Sequence, residues 1–148
     1  MQQEWIMFDI AKVKQLKEDY DNTIAVIKES LPEINLNSSK QIVNFFEKTF
    51  QIELKSARIK EISAHLDEFH EDSEEREIID GIVHYYKMHY TVRNYLDYII
   101  KHNEAGVMVL REYMGQLCFQ NRQRVPYSPD IINCITRMSR NDLLKEVI

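Results

Sequence analysis

A chain of 148 residues with 44% hydrophobic content can bury one good core, so a single domain is expected. Its 29% charged residues, three glycines and three prolines argue for helices, because strands joined by tight turns need more breakers than these. The net charge of −5 argues against indiscriminate nucleic-acid binding. No apolar run approaches the roughly 20 residues of a membrane span, and the first residues lack a signal peptide's basic start and continuous apolar core.

Cys118 and Cys134 are too few and too far apart for a zinc cage or redox pair, so reduced thiols in a soluble, cytoplasmic protein are expected. The charge is unevenly spread. Residues 53–80 carry ten acids against four bases, whereas residues 81–140 carry eight bases against four acids, so positive charge gathers in the later half.

Taken in chain order, the first long helix is announced by Ile10, Val13, Leu16, Tyr20, Ile24, Ile27 and Leu31, spaced by three or four with charged residues between them. Asp9 is a plausible N-cap, and Pro32 ends the pattern by pushing residue 31 out of helical geometry. A second helix begins where Ser38, followed by Gln41, has the form of a capping box before the apolar residues Ile42, Val43, Phe45, Phe46 and Phe50. A third is expected at about residues 56–70. The acid cluster of residues 71–75 marks a solvated turn or helix start, since carboxylates favour the positive end of a helix. His65 and His70 are five apart, which does not suit a pair of metal ligands on one helix.

Ile78, Ile82, Tyr85, Val92, Leu96 and Ile99 form another long stripe. Residues 9–31 and 78–101 would both run to roughly 35 Å at the helical rise, which suggests one antiparallel hairpin with the shorter helices as a small tip. Val107, Leu110, Tyr113 and Met114 suggest a short amphipathic helix, and residues 131–148 a last one with Ile131, Ile132, Ile135, Met138, Leu143 and Leu144 inward. The expected architecture is therefore all-α, with a helical module over residues 1–102 and a helical extension over residues 103–148 packed on the same domain. Tyrosines 85, 86, 90, 95 and 98, at helical spacing, are read as core and rim.

Residues 35–42 read Asn-Leu-Asn-Ser-Ser-Lys-Gln-Ile, with Phe45-Phe46-Glu47-Lys48 following. This stretch resembles the asparagine, apolar, asparagine or serine, serine, any, lysine, glutamine, apolar segment in the thumb of family A DNA polymerases, the bacterial repair and phage replicative type. Met1, Ile6, Phe8 and Asp9 fit the family's segment entering the thumb, with Gln2 in place of its glutamate and Trp5 in place of its glycine. On the returning helix, Tyr86 and Lys87 stand for a tyrosine-arginine pair and Asn94 for a serine, while Thr91 occupies a lysine position and Tyr95 a threonine position. Residues 115–126 are similar to the family's first palm motif at Gly115, Leu117, Asn121, Gln123, Val125 and Pro126, with Gln116 replacing its arginine.

The resemblance implies binding of duplex or primer-template DNA through the sugar-phosphate backbone. The residues it nominates for DNA contact are Asn37, Ser38, Ser39, Lys40, Lys87, Arg93 and Asn94, small polar and long basic groups that follow a backbone without reading bases. It also implies a separate palm- and fingers-bearing polymerase subunit as a partner. Polymerase catalysis needs two carboxylates holding two metal ions, and nothing here resembles the palm motifs that supply them, nor is there a Gly-rich phosphate loop, a nucleophile elbow or a zinc-protease helix. The chain is thus expected to be no enzyme on its own and to use no cofactor. The alternative is a helical protein-protein interaction module that docks a partner or its own copy through the aromatic hairpin or the tail from Tyr113 onward.

Overall fold

A computed structural model describes residues 4–103, 106–139 and 141–142. The chain separates into two units, one formed by Met1–Asp19 with Thr91–Ile148 and the other by Tyr20–Tyr90.

The first unit is built on an antiparallel sheet of β1 (Glu4–Asp9), β2 (Val107–Tyr113), β3 (Gln116–Cys118) and β4 (Ile135–Ser139), in the order β3-β2-β1-β4. The two central strands face Ile6 to Leu110 and Phe8 to Met108, and all four side chains are buried, as expected when facing residues of an antiparallel pair share one side of the sheet. Phe119, which follows β3, stacks on Phe8 with ring centroids 6.1 Å apart and meets Tyr98 edge-on at 5.2 Å. Tyr98 belongs to α5 (Asp97–Lys101), which continues a five-residue π-helical stretch, Val92–Leu96. Lys17, in the first half of α1 (Ile10–Ser30), pairs with Asp97 at 2.8 Å. Asp9 ends β1 and caps α1, its carboxylate accepting from the Lys12 N–H.

This sheet overturns the all-α expectation: the chain is mixed α/β, 56% helix and 16% strand. The apolar run Val107-Met108-Val109-Leu110 is a strand with alternating burial, not a helix, and the stretch expected as a last helix opens with the short α6 (Pro129–Ile132) and then pairs as β4 with β1. Leu143 and Leu144 of that expected helix lie outside the described residues. Few turn residues suffice for this sheet, because β1 finds its partners across long connections and one tight turn, Met114-Gly115, joins β2 to β3.

The second unit contains the later half of α1, then α2 (Ser39–Phe50), α3 (Ile59–Ser63), a 3-10 turn at Leu66–Glu68, and α4 (Glu74–Thr91) up to its last turn. Ile42, Phe46 and Phe50 of α2 are buried at positions four apart. Phe50 meets Phe46 at 5.2 Å and both Phe45 and Phe69 at 5.5 Å, an aromatic cluster within one core. Helix α4 buries Ile79, Ile82, Val83 and Tyr85, and Gly81 admits Leu31 so closely that a Cβ there would lie 3.1 Å from the leucine. Lys28 stands over the Tyr85 ring at 5.4 Å, so the end of α1 runs antiparallel to α4. The expected helix over residues 56–70 is shorter than its pattern, because residues 55 and 56 are spent on Glu61: its carboxylate accepts from the Lys55 N–H at 2.6 Å and the Ser56 hydroxyl at 2.7 Å.

Candidate functional site

The segment before α2 is held from both sides. Asn35 makes an Asx turn by accepting from the Asn37 N–H at 3.0 Å, and Ser38 caps α2 by accepting from the Gln41 N–H at 3.3 Å. The Gln41 side chain does reach back, but to the Asn35 N–H at 3.0 Å, three residues beyond the usual target; the Ser38 N–H donates to the Asn35 carbonyl instead. From α4, the Tyr85 hydroxyl donates to Asn37 Oδ1 at 3.3 Å and the Tyr86 hydroxyl to the Leu36 carbonyl. Burial raises the Tyr86 phenol above its ordinary value, with Tyr85 adding to the effect, so it stays a donor at neutral pH. Leu36 is buried below, while Asn35, Asn37, Ser39 and Lys40 are exposed. A cleft of about 610 Å³ runs beside this segment, lined by Lys28, Glu29, Glu33, Asn35, Asn37 and Tyr85 among others.

Of the residues nominated for DNA contact, Asn37, Ser38, Ser39 and Lys40 stand together on this segment. Lys87 is exposed on α4, but helical geometry turns it about 100° from Tyr86 and 160° from Tyr85, so it does not share the face that grips the segment. Arg93 and Asn94 are exposed on the π-helical stretch of the other unit.

Arginines outside the set nominated for DNA contact gather in the sheet unit. Arg111, Arg122 and Arg124 line a partly enclosed cavity of about 540 Å³ beside the β2–β3 hairpin, with Glu112 as its one acidic lining residue. Arg111 faces Cys118 across β2–β3, and Cys118 forms a bridge to Arg124 on its other side, so the three occupy neighbouring positions on one side of the sheet. The excess of bases in the later half was the available signal, but a strand register cannot be read from charge alone. Among the described residues there is no cluster of three histidine, cysteine or carboxylate side chains fit for a metal, and no helix long and apolar enough to cross a membrane. Both cysteines are buried and unpaired. No protein-family model, curated protein or solved structure matches the chain.

Proposed function

We propose that the chain is a DNA-binding module resembling the thumb of family A DNA polymerases, which engages duplex or primer-template DNA through its sugar-phosphate backbone and has no catalysis of its own. The observation that carries this reading is the Asn37-Ser38-Ser39-Lys40 segment, exposed at Asn37, Ser39 and Lys40 and half-buried at Ser38, and braced from α4 by Tyr85 and Tyr86. Hydroxyls, amides and one lysine on a braced helix start can meet phosphate oxygens without ordering themselves first. Residues 115–126, which resemble the palm motif, lie in β3 and the turn after it, in keeping with a palm built on strands. A palm-bearing subunit is the partner this reading calls for, and a cytoplasmic setting suits the two free thiols.

The second reading is a protein-docking module, favoured by the exposure of Tyr113 at 66%, Met114 at 87% and Tyr127 at 94%. Fluorescence anisotropy of a labelled primer-template duplex, titrated at several salt concentrations, separates the two. A module of the first kind gives affinity that falls linearly on a log-log salt plot, and Lys40→Gln reduces that slope by about one. Absence of binding at low salt sinks the DNA reading.

A further inference from the structure

We infer that the β2–β3 hairpin and the turn after it form a binding site for a nucleoside phosphomonoester, the phosphate held by Arg111, Arg122 and Arg124 and the base set against the apolar hairpin. This site lies wholly within the sheet unit and does not rest on the duplex-binding reading, whose carrying segment belongs to the helical unit.

Strand register brings two of the arginines to either side of one residue. Arg111 and Arg124 flank Cys118 from opposite sides, so their backbones are two strand spacings apart, about 10 Å. Cys118 between them is small and contributes to the cavity lining, its thiol donating to the Gln116 carbonyl at 3.8 Å, so no bulky side chain rises between the two long ones. Arg122 enters from the following turn. Its φ is +68°, a left-handed conformation that an arginine adopts only when held, and the turn holds it: the Arg122 N–H donates to the Phe119 carbonyl at 2.9 Å, and the Phe119 N–H to the Gln123 carbonyl at 2.8 Å.

Among the described residues none of the three guanidinium groups makes an ion pair, so their planar donor forks are unspent, and three positive charges against Glu112 suit a doubly charged phosphomonoester better than a single carboxylate. The same cavity is lined by exposed Tyr113 and Met114, and Met114 is again left-handed at φ +51°. A volume of about 540 Å³ exceeds what phosphate alone fills, and an aromatic ring beside a flexible thioether offers a stacking wall for a planar base. Guanidinium forks for the phosphate and an apolar wall for the ring together describe a nucleotide. Its source is either a free mononucleotide or the phosphorylated end of a strand, and both present the same chemistry.

The test is isothermal titration calorimetry of the full chain with adenosine 5′-monophosphate, adenosine, inorganic phosphate, and a short single-stranded oligothymidylate with and without a 5′-phosphate. The expected result is one saturable site for adenosine 5′-monophosphate, bound at least about tenfold more tightly than adenosine or phosphate, and weakened about tenfold or more by Arg111→Gln or Arg124→Gln. Lys48→Gln, on the exposed face of α2, leaves the affinity unchanged, and unaltered melting of each arginine variant excludes misfolding. Tyr113→Ala provides a variant outside the arginine set and weakens the nucleotide but not phosphate. If the 5′-phosphorylated strand binds at the level of the mononucleotide and the unphosphorylated strand does not, the site accepts a strand end; binding of the mononucleotide alone assigns it to free nucleotides. The proposal is overturned if adenosine 5′-monophosphate binds no better than phosphate, or if folded arginine variants bind like the wild type. Duplex titration of the same variants reads the helical segment separately, so the two proposals fail independently.

Discussion

Tyr85 and Tyr86 are adjacent on one helix, yet both turn their hydroxyls to the segment before α2, one to a side chain and one to a carbonyl. Tyr85→Phe and Tyr86→Phe should each cost about 1 kcal/mol in denaturant unfolding, since each strands a polar group in a part-buried site. If the segment acts as proposed, both also weaken duplex binding, although neither phenol need touch DNA. Glu61 makes a different demand. Hydrogen bonds from the Ser56 hydroxyl and the Lys55 N–H, with the Lys55 charge a lesser cause, lower its carboxyl below the ordinary value of 4.5. A carboxyl depressed in the folded state stabilises the fold fully above its unfolded value, and that contribution disappears as the pH falls through the lower folded value. Glu61→Gln should therefore lower the melting temperature near neutral pH, and the gap from wild type should close on acidification through and below the carboxylate range. A pH-independent gap would contradict this. Cys134 responds in the opposite sense: burial raises its thiol, Asp9 and Asp130 add to the rise, and Lys12 opposes it. With Cys118 also buried, both thiols should react with a disulfide reagent at least about tenfold more slowly in the native protein than in denaturant.

At the scale of elements, the β2–β3 hairpin holds the sharpest conflict between sequence and geometry. Met114 and Gly115 both have positive φ, as a two-residue type I′ turn requires, and methionine is a poor choice for the first position. Met114→Asn should stabilise the protein by about 1 kcal/mol, read as an upward shift of the melting midpoint. No gain would mean that the hairpin strain has been assigned to the wrong residue. Helix α2 presents the contrary case at its start, where the local signals agree. Its cap and its apolar spacing follow from residues within a few positions of one another, so its start at Ser38 is legible in the sequence, whereas its left-handed C-cap falls on Gln51 at φ +54°, with no glycine or asparagine to announce it. The π-helical stretch Val92–Leu96 could not, because its apolar spacing does not differ from that of the α-helix around it.

For the molecule as a whole, the chain order matters more than the element count. The helical unit is one continuous segment, Tyr20–Tyr90, whereas the sheet unit joins two segments separated by it, and Asp9 pairs with Val107 only after the whole stretch of residues 10–106 is spanned. Local contacts form before such a closure is rewarded, so pulsed hydrogen exchange during refolding should protect amides of α2 and α4 before those of the β1–β2 pair. Simultaneous protection would show that the two units fold as one cooperative block.

By itself the sequence determined the helices whose apolar spacing is regular and the breaks at Pro32 and Ser38, because these depend on residues near one another in the chain. It also placed a surplus of bases in the later half. Only the tertiary structure decided that Val107-Met108-Val109-Leu110 is a strand, since a short apolar run suits helix and strand equally until a distant partner such as β1 accepts its backbone hydrogen bonds. The pairing of β2 with β3, and the bridge from Cys118 to Arg124, aligned Arg111, Cys118 and Arg124 and turned scattered arginines into the lining of one cavity. Register is a property of pairing, and pairing between residues far apart leaves no mark on either segment alone.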